Sequence, residues 1–212
     1  MHVTIIGTGN MARGIGSRAL AGGHDVTVVG KDEARAEEAA ATLREQGGPG
    51  SVGTALDADP VGGDVVVLAV YYPDARAAVE RHAGELAGKV VVDITNPVNE
   101  TVDALVVPPD SSATRELGRL AEGARIVKAF NTTFARTLVA GEVAGQPLDV
   151  FIAGDDEEAR ETVAELARDG GLNPIDAGGE ERARELEALG LLHMQLQQRL
   201  GTGYASAVKV IA

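Results

Sequence analysis

The first residues that could do chemistry form a glycine-rich turn near the N-terminus, Gly7-Thr8-Gly9-Asn10-Met11-Ala12. The turn lies between an apolar run at 3–6 and a segment whose apolar residues recur at helical spacing. In this G-x-G-x-x-A pattern the first glycine permits a tight turn, the second lets backbone approach a pyrophosphate, and the small last residue allows close helix–strand contact. Because both flanks match, the pattern predicts a dinucleotide site with phosphates at the helix N-terminus. A turn that serves only chain reversal is the alternative.

Positively charged residues follow the second predicted strand, at the position that separates the two nicotinamide dinucleotides. An acidic residue there would bind the ribose 2′-hydroxyl of NAD, but Val29 and Gly30 occupy the place. Lys31 and Arg35 come next, and two cations suit the 2′-phosphate of NADP, so we predict NADP(H) as cofactor. Two alternatives stay open: the cations lie on a solvated helix face, or the Asp32 carboxylate faces the ribose and favours NAD.

The elements that must position these residues alternate between strands and helices. Apolar residues make up 44% of the 212 residues and aromatic residues 3%, so the core is built from Val, Ala, Leu and Ile. That palette is typical of a parallel sheet covered by helices. After a first βαβ unit, apolar runs predict strands at 65–70, 90–94, 126–130, 150–153 and 173–175, and helices at 32–44, 74–86 and 156–168. We expect an α/β, Rossmann-type fold with a doubly wound, mostly parallel sheet.

The last part of the chain departs from this alternation. Residues 180–200 predict a long helix interrupted only by Gly190, followed by Gly201-Thr202-Gly203 and a final apolar stretch. We divide the chain into an NAD(P)-binding domain at 1–178 and a C-terminal helical extension at 179–212 that completes a second-substrate pocket. Because apolar residues lie on more than one face of the long helix, we expect a homodimer interface there. Packing within one chain is the alternative.

Composition narrows the class of partner. The net charge is −13 and the basic residues are scattered, which argues against nucleic acid and anionic membranes. No stretch approaches 18 consecutive apolar residues and no signal-peptide pattern opens the chain, so we predict a cytoplasmic protein. Cysteine is missing and no metal-ligand cluster emerges, so we expect no metal. Four histidines are dispersed along the sequence: His2, His24, His82 and His193. We expect them to have surface or capping roles, and for His193 we expect a role in helix packing.

The chain as a whole resembles the F420-dependent NADP oxidoreductase family. The resemblance rests on ordered segments over nearly the full length, at 6–11, 66–72, 92–97, 127–132, 154–156 and 176–178. It implies a Rossmann domain with a short C-terminal part, and hydride transfer between NADP(H) and a deazaflavin, coenzyme F420. In archaeal members a histidine begins the segment that reads Asn131-Thr132-Thr133-Phe134 in this sequence. Because that histidine is replaced, a flavin or another hydride acceptor is an alternative to the deazaflavin.

The resemblance also implies roles for single residues. The family's pyrophosphate loop corresponds to Thr8, Gly9, Asn10 and Met11. Gly30 and Lys31 occupy the place of its Ser-Arg pair and Arg35 that of its lysine, so only the charge is kept there. Residues similar to those around nicotinamide and its ribose are Val70, Tyr72, Asn96 and Ala135. The Gly201-Thr202-Gly203 segment is similar to the loop that closes over the deazaflavin.

Side chains that follow predicted strands add to this set, because ligands of open parallel sheets bind at the carboxyl ends of strands. Tyr71 could stack on nicotinamide, and Asn131 and Thr132 could orient the second ring; aromatic packing and turn formation are the alternatives. Hydride transfer between two rings needs orientation and exclusion of water, and we predict no catalytic side chain. An NADP(H) sensor and a reductase of small carbonyl or imine substrates are the other functions that the sequence allows.

Overall fold

Strands and helices alternate along most of the chain in the computed structural model, which describes residues 1–211. The strands are β1 (His2–Ile6), β2 (Asp25–Gly30), β3 (Val52–Leu56), β4 (Val65–Leu68), β5 (Val90–Asp93), β6 (Arg125–Lys128), β7 (Glu142–Val143), β8 (Gln146–Pro147), β9 (Asp149–Ala153) and β10 (Asn173–Gly178). The helices are α1 (Asn10–Ala21), α2 (Glu33–Gln46), α3 (Tyr72–Leu86), α4 (Ala113–Leu120), α5 (Ala135–Ala140), α6 (Glu157–Asp169) and α7 (Ala183–Leu200). A 3-10 turn at Glu180–Arg182 precedes α7.

Eight of these strands form one sheet, in the order β10-β9-β6-β5-β4-β1-β2-β3. Neighbours from β3 to β6 are parallel, β9 joins β6 in the antiparallel sense through the pair Lys128 and Ala153, and β10 is parallel to β9. The chain runs outward from β1 to β3 and then crosses over to β4 on the other side of β1. This reversal between β1 and β4 is the topological switch point of a Rossmann fold. The predicted doubly wound, mostly parallel sheet is confirmed.

The central strands are buried on both faces. All four residues of β4 are buried, and their side chains alternate between the two layers: Val65 and Val67 belong to the cluster beneath α1 and α6, and Val66 and Leu68 to the cluster beneath α3 and α4. A strand covered on both faces shows a continuous apolar run, as predicted from the sequence.

Several boundaries differ from the sequence prediction. Strand β3 was not predicted, because at the sheet edge it carries small and polar residues, and the short helices α4 and α5 were missed. The third strand was predicted at 65–70, but β4 ends at Leu68. Tyr72 and Pro73 form the first turn of α3, two residues before the predicted start of that helix, where proline needs no N–H partner. The predicted interruption at Gly190 was also wrong, because α7 continues through it. A Cβ at Gly190 would lie 2.5 Å from Asn96 Oδ1, so a close helix–loop contact explains this glycine.

A buried charge cluster joins α7 to the sheet. The Lys128 side chain is fully buried, with Nζ 2.7 Å from Asp93 Oδ2 and 3.0 Å from Glu187 Oε1, and it donates to the Thr95 carbonyl at 2.7 Å. Burial opposes the charge on Lys128, but the two carboxylates raise the pKa of its ammonium overall. Burial raises the pKa of the Glu187 carboxyl, and the Asp93 charge acts in the same direction. The described part of the C-terminal extension is therefore packed on the sheet of residues 1–178; Ala212 lies outside the described residues.

Lys128→Met is expected to lower the free energy of unfolding by about 3–5 kcal/mol, because it leaves buried carboxylates without their cation. Chemical denaturation monitored by circular dichroism measures the change. The matched control is Lys89→Met, which removes one half-buried ammonium that donates to the Gly63 carbonyl, and should cost about 1 kcal/mol or less. Equal losses for the two variants would contradict a special role for the buried cluster.

Candidate cofactor site

The glycine turn joins the ends of three strands. Gly7 has φ +124°, a conformation that favours glycine, and its N–H donates to the Val29 carbonyl at 2.9 Å. A Cβ at this position would lie 2.3 Å from the Ala69 carbonyl oxygen. Gly7 therefore lets the turn after β1 lie directly against the end of β4.

Gly9 has a different reason to lack a side chain. It precedes α1 with φ −76°, which any residue adopts, and a Cβ there would meet nothing within 4 Å. The space beside it is open, and the N–H groups at the start of α1 have no acidic side chain in their first turn. Such a helix N-terminus binds anions, and here it leaves room for a ligand rather than for protein.

A cleft of about 340 Å³ extends from this turn between β2, β4 and α3. It lies at the carboxyl ends of β1 and β4, where ligands bind in open α/β sheets. The structure brings together in its lining the predicted residues Gly7, Thr8, Gly9, Gly30, Lys31, Arg35, Val70 and Tyr71. Tyr71 is 85% exposed at the N-terminus of α3, so its ring is free to contact a ligand at the mouth of the cleft.

The charged groups of the cleft favour a phosphate over a ribose hydroxyl. Lys31 Nζ lies 3.0 Å from Asp74 Oδ1 at the exposed rim. The Asp32 carboxylate caps α2: Oδ1 accepts from the Arg35 N–H at 2.9 Å, and Oδ2 lies 3.4 Å from Arg35 Nε. Because the cap already uses Asp32, the cations are the groups best placed for a 2′-substituent.

Two further charged residues line the cleft and were missed from the sequence. Asp57 follows β3, and Arg81 lies on α3, where its Nη1 contacts Asp57 Oδ2. A signal for Arg81 was present, since it is seven positions after Asp74 and such residues share a helix face. No such signal existed for Asp57, because β3 itself was not predicted.

The remaining predicted cofactor residues lie outside this lining. Asn10 is exposed and Met11 is half-buried in the first turn of α1. The Tyr72 hydroxyl lies 3.4 Å from Arg76 Nη1, one turn along α3. Ala135 begins α5, whose backbone packs closely against α1 at Gly14. Asn96 lies beside α7.

The side chain of Asn131, a predicted second-substrate residue, is buried and links the loop after β6 to Asn96 and to α7. Its Nδ2 donates to Asn96 Oδ1 at 2.9 Å and to the Leu186 carbonyl at 2.8 Å, and Asn96 Nδ2 donates to the Asn131 carbonyl at 2.8 Å. Asn131 Oδ1 is buried without a hydrogen-bond partner among residues 1–211. These bonds fix the loop after β6 to α7, so the Asn131 side chain orients the surrounding backbone whatever else it contacts.

A second set of contacts, centred on His193, links the same loop at Thr132 to the residues that follow α7. His193 Nδ1 lies 3.1 Å from the Thr132 carbonyl, Nε2 lies 2.9 Å from Ser206 Oγ, and the Phe134 ring centroid is 4.3 Å away. Burial lowers the pKa of the imidazole, which favours its neutral form. The helix-packing role predicted for His193 agrees with these contacts. For His24 and His82 the prediction was a surface or capping role, and the surface alternative was wrong, because both side chains are buried.

The predicted closing loop follows α7 directly. Gly201 takes a left-handed conformation after the helix, Thr202 donates to Gln197 Oε1, and Gly203 is exposed. The tail then returns to the sheet, where Lys209 Nζ lies 2.6 Å from Asp149 Oδ1. The loop is thus tied at both ends beside Phe134 and Tyr204, whose rings meet edge to face.

Two kinds of site are missing from residues 1–211. No cluster of three or more His, Asp or Glu side chains there could hold a metal ion. None of the helices in this part of the chain has an apolar stretch of the length that a bilayer requires.

The sheet order, the glycine turn and the cationic cleft define a dinucleotide-binding protein of the Rossmann class. The family model described as "NADP oxidoreductase coenzyme F420-dependent" matches residues 2–97. F420-dependent NADP reductase of Methanocaldococcus jannaschii is 30% identical over 209 residues, which cover 89% of each chain. A solved structure of a candidate F420-dependent NADP reductase from Arthrobacter sp. FB24 has a TM-score of 0.85 and 30% identity, with 99% of both chains covered.

A longer protein is similar over the same region. Metalloreductase STEAP3 of Rattus norvegicus is 30% identical over 189 residues, which cover 89% of this chain but 36% of that protein. The chain thus spans about a third of that relative and nearly the full length of the archaeal reductase. The chain belongs to the F420-dependent NADP oxidoreductase family, as the sequence resemblance predicted.

Substitution by alanine is expected to lower stability at Gly7 and ligand affinity at Gly9. Gly7→Ala should lower the free energy of unfolding by about 2–4 kcal/mol, because the methyl group meets Ala69 and the backbone disfavours it. Gly9→Ala should change it by less than about 0.5 kcal/mol, but should weaken NADPH binding about tenfold or more by filling the open space. Denaturation and calorimetry measure the two effects. A stable Gly9→Ala variant with unchanged NADPH affinity would place the pyrophosphate elsewhere.

Proposed function

We propose that this protein transfers hydride between NADP(H) and the deazaflavin ring of coenzyme F420. The observation that carries the proposal is the continuity of the cleft, which runs from an open helix N-terminus to Lys31 and Arg35 and so matches a diphosphate followed by a 2′-phosphate. Membership of the family supplies the second ring substrate. A flavin is the alternative acceptor.

The chain's own residues bind and orient. The nicotinamide ring supplies the hydride chemistry when bound. The turn from Gly7 to Met11 would hold the diphosphate, and Lys31 and Arg35 the 2′-phosphate. We assign the surroundings of the nicotinamide and its ribose to Val70, Tyr71, Tyr72, Asn96 and Ala135.

The second ring would lie where the C-terminal extension meets the sheet. We assign its surroundings to Asn131 and Thr132, and to Gly201, Thr202 and Gly203 as the closing loop. Because Asn131 holds α7 through its amide, it would act by positioning. Direct transfer between two apposed rings needs close approach and exclusion of water, and the proposal includes no catalytic side chain.

The proposal extends to assembly and location. Leu192 and Leu200 are 52% and 62% exposed on α7, which supports a homodimer through this helix. We also infer a cytoplasmic location. The boundary between the dinucleotide-binding domain at 1–178 and the extension at 179–212 belongs to the same proposal.

Hydride transfer is tested by mixing the purified protein with NADPH and F420 and following the absorbance of both. We expect both absorbances to fall together only when protein is present, because each hydride leaves one ring and enters the other. Parallel assays with FMN and without acceptor are the controls. Oxidation of NADPH with FMN alone would assign a flavin instead, and binding of NADPH without oxidation by either acceptor would favour a sensor.

The cation pair is tested by Lys31→Ala and Arg35→Ala. Each variant should weaken NADPH binding about 10–100-fold, because a charge-assisted bond to the 2′-phosphate is lost, and should change NADH binding by less than about threefold. Calorimetry measures both affinities. Arg44→Ala is the matched control, since this exposed α2 residue pairs with Glu37. Equal losses for NADPH and NADH would contradict the assignment of the pair to the 2′-phosphate.

A further inference from the structure

The cleft contains a carboxylate and a guanidinium that the proposed function leaves unassigned. Asp57 lies directly after β3, and its N–H donates to the Gly30 carbonyl at 3.0 Å, which fixes it beside the end of β2. Arg81 approaches from α3 on the other side of the cleft and contacts Asp57 Oδ2 through Nη1. Both side chains are partly exposed, at 24% for Asp57 and 48% for Arg81, so a ligand can reach them.

Arg81 lies further along α3 than the residue that Lys31 contacts. Lys31 contacts Asp74, at the start of α3, and Arg81 lies seven positions further along the same helix. At 1.5 Å per residue this separates the Cα atoms of Asp74 and Arg81 by about 10 Å along the helix axis. Arg81 is paired with Asp57, just as Lys31 is paired with Asp74 and Arg35 with Asp32, so the position of Arg81 and not its charge distinguishes it.

The surroundings of the pair suit a flat ring. Ala77 and Ala78 line the cleft on α3, and Val29 and Gly30 line it on β2, so small and apolar groups face the space from both sides. Asp57 Oδ1 takes no hydrogen bond from residues 1–211. A carboxylate oxygen only accepts, and a guanidinium packs on aromatic faces.

We propose that Asp57 and Arg81 form a base-recognition subsite for adenine. Asp57 Oδ1 accepts a hydrogen bond from the exocyclic 6-amino group, and the Arg81 guanidinium packs against the purine ring. The proposal rests on the dinucleotide binding proposed above, and it adds a reason for base selectivity. A 6-oxopurine such as hypoxanthine would place a carbonyl oxygen against the carboxylate, and two acceptors repel each other.

The test compares NADPH with its hypoxanthine analogue by calorimetry. We expect the protein to bind NADPH about tenfold or more tightly than the analogue, because the analogue loses the charge-assisted bond to Asp57 Oδ1 and places a second acceptor against that oxygen. In Asp57→Asn the preference should fall to about threefold or less, since a carboxamide can donate to the oxygen or accept from the amine. A ratio measured within one variant is independent of the folded fraction.

The matched control for the charge change is Glu80→Gln. Glu80 lies on α3 outside the cleft lining and 3.8 Å from Arg76, so this variant should keep the full preference of the parent protein. A parent protein that binds both dinucleotides equally, or an Asp57→Asn variant that keeps the preference, would overturn the assignment of Asp57.

Arg81→Gln separates the base from the phosphate. We expect it to weaken NADPH and NADH binding by the same factor, about 3–10-fold, because the purine ring is common to both. A loss confined to NADPH would assign Arg81 to the 2′-phosphate and overturn its role at the base. If NADPH does not bind at all, both this inference and the proposed function fail. If the protein prefers NADPH over the hypoxanthine analogue but transfers no hydride, the base subsite is supported and the proposed enzymatic function is contradicted.

Discussion

The close approach of the first turn to the end of β4 is the constraint on which the site depends. At Gly7 the chain passes so near the Ala69 carbonyl that any side chain would be displaced, and the Gly7 N–H is bonded to the end of β2. Three strand ends are therefore held together at the point where the strand order reverses. Gly9, Gly30 and Val70 line one cleft because each lies within three residues of these contacts.

A second constraint acts on the other half of the sheet edge, where polar side chains replace the glycines. Asp93 and Lys128 end neighbouring strands, and Glu187 reaches them from α7. Such a cluster adds less net stability than an apolar core of the same volume, because each charge loses its hydration. Its geometry is nevertheless specific, and it sets α7 in one register against the strands. The residues that follow α7 are held in place against the helix because Ser206 lies within hydrogen-bond distance of His193.

The sequence predicted what depends on periodicity and short motifs, and missed what depends on tertiary contact. The buried strands β4 and β5 are unbroken valine-rich runs, and the turn at Gly7 has a motif with a mechanism, so both were found. Strand β3 was missed because its place at the sheet edge removes the need for apolar residues, and with it Asp57 was lost. Asn131 was predicted to contact a ring, but whether an amide after a strand faces a ligand or a helix is decided by packing that no local pattern records.

The charges of the cleft show how an acidic protein can bind a phosphorylated ligand. The net charge of −13 repels an anion at long range, but at physiological salt this field decays over about 8 Å, so adjacent groups dominate. Each cation of the cleft is held by a carboxylate: Lys31 by Asp74, Arg35 by Asp32, and Arg81 by Asp57. A phosphate must therefore exchange with a carboxylate already in place, and the affinity gained is a difference between two ion pairs. A dianionic phosphate can displace a monoanionic carboxylate from the cation, whereas a neutral hydroxyl cannot. The exchange therefore favours a 2′-phosphate over a 2′-hydroxyl. Pairing in the free cleft thus makes the cations selective instead of generally attractive.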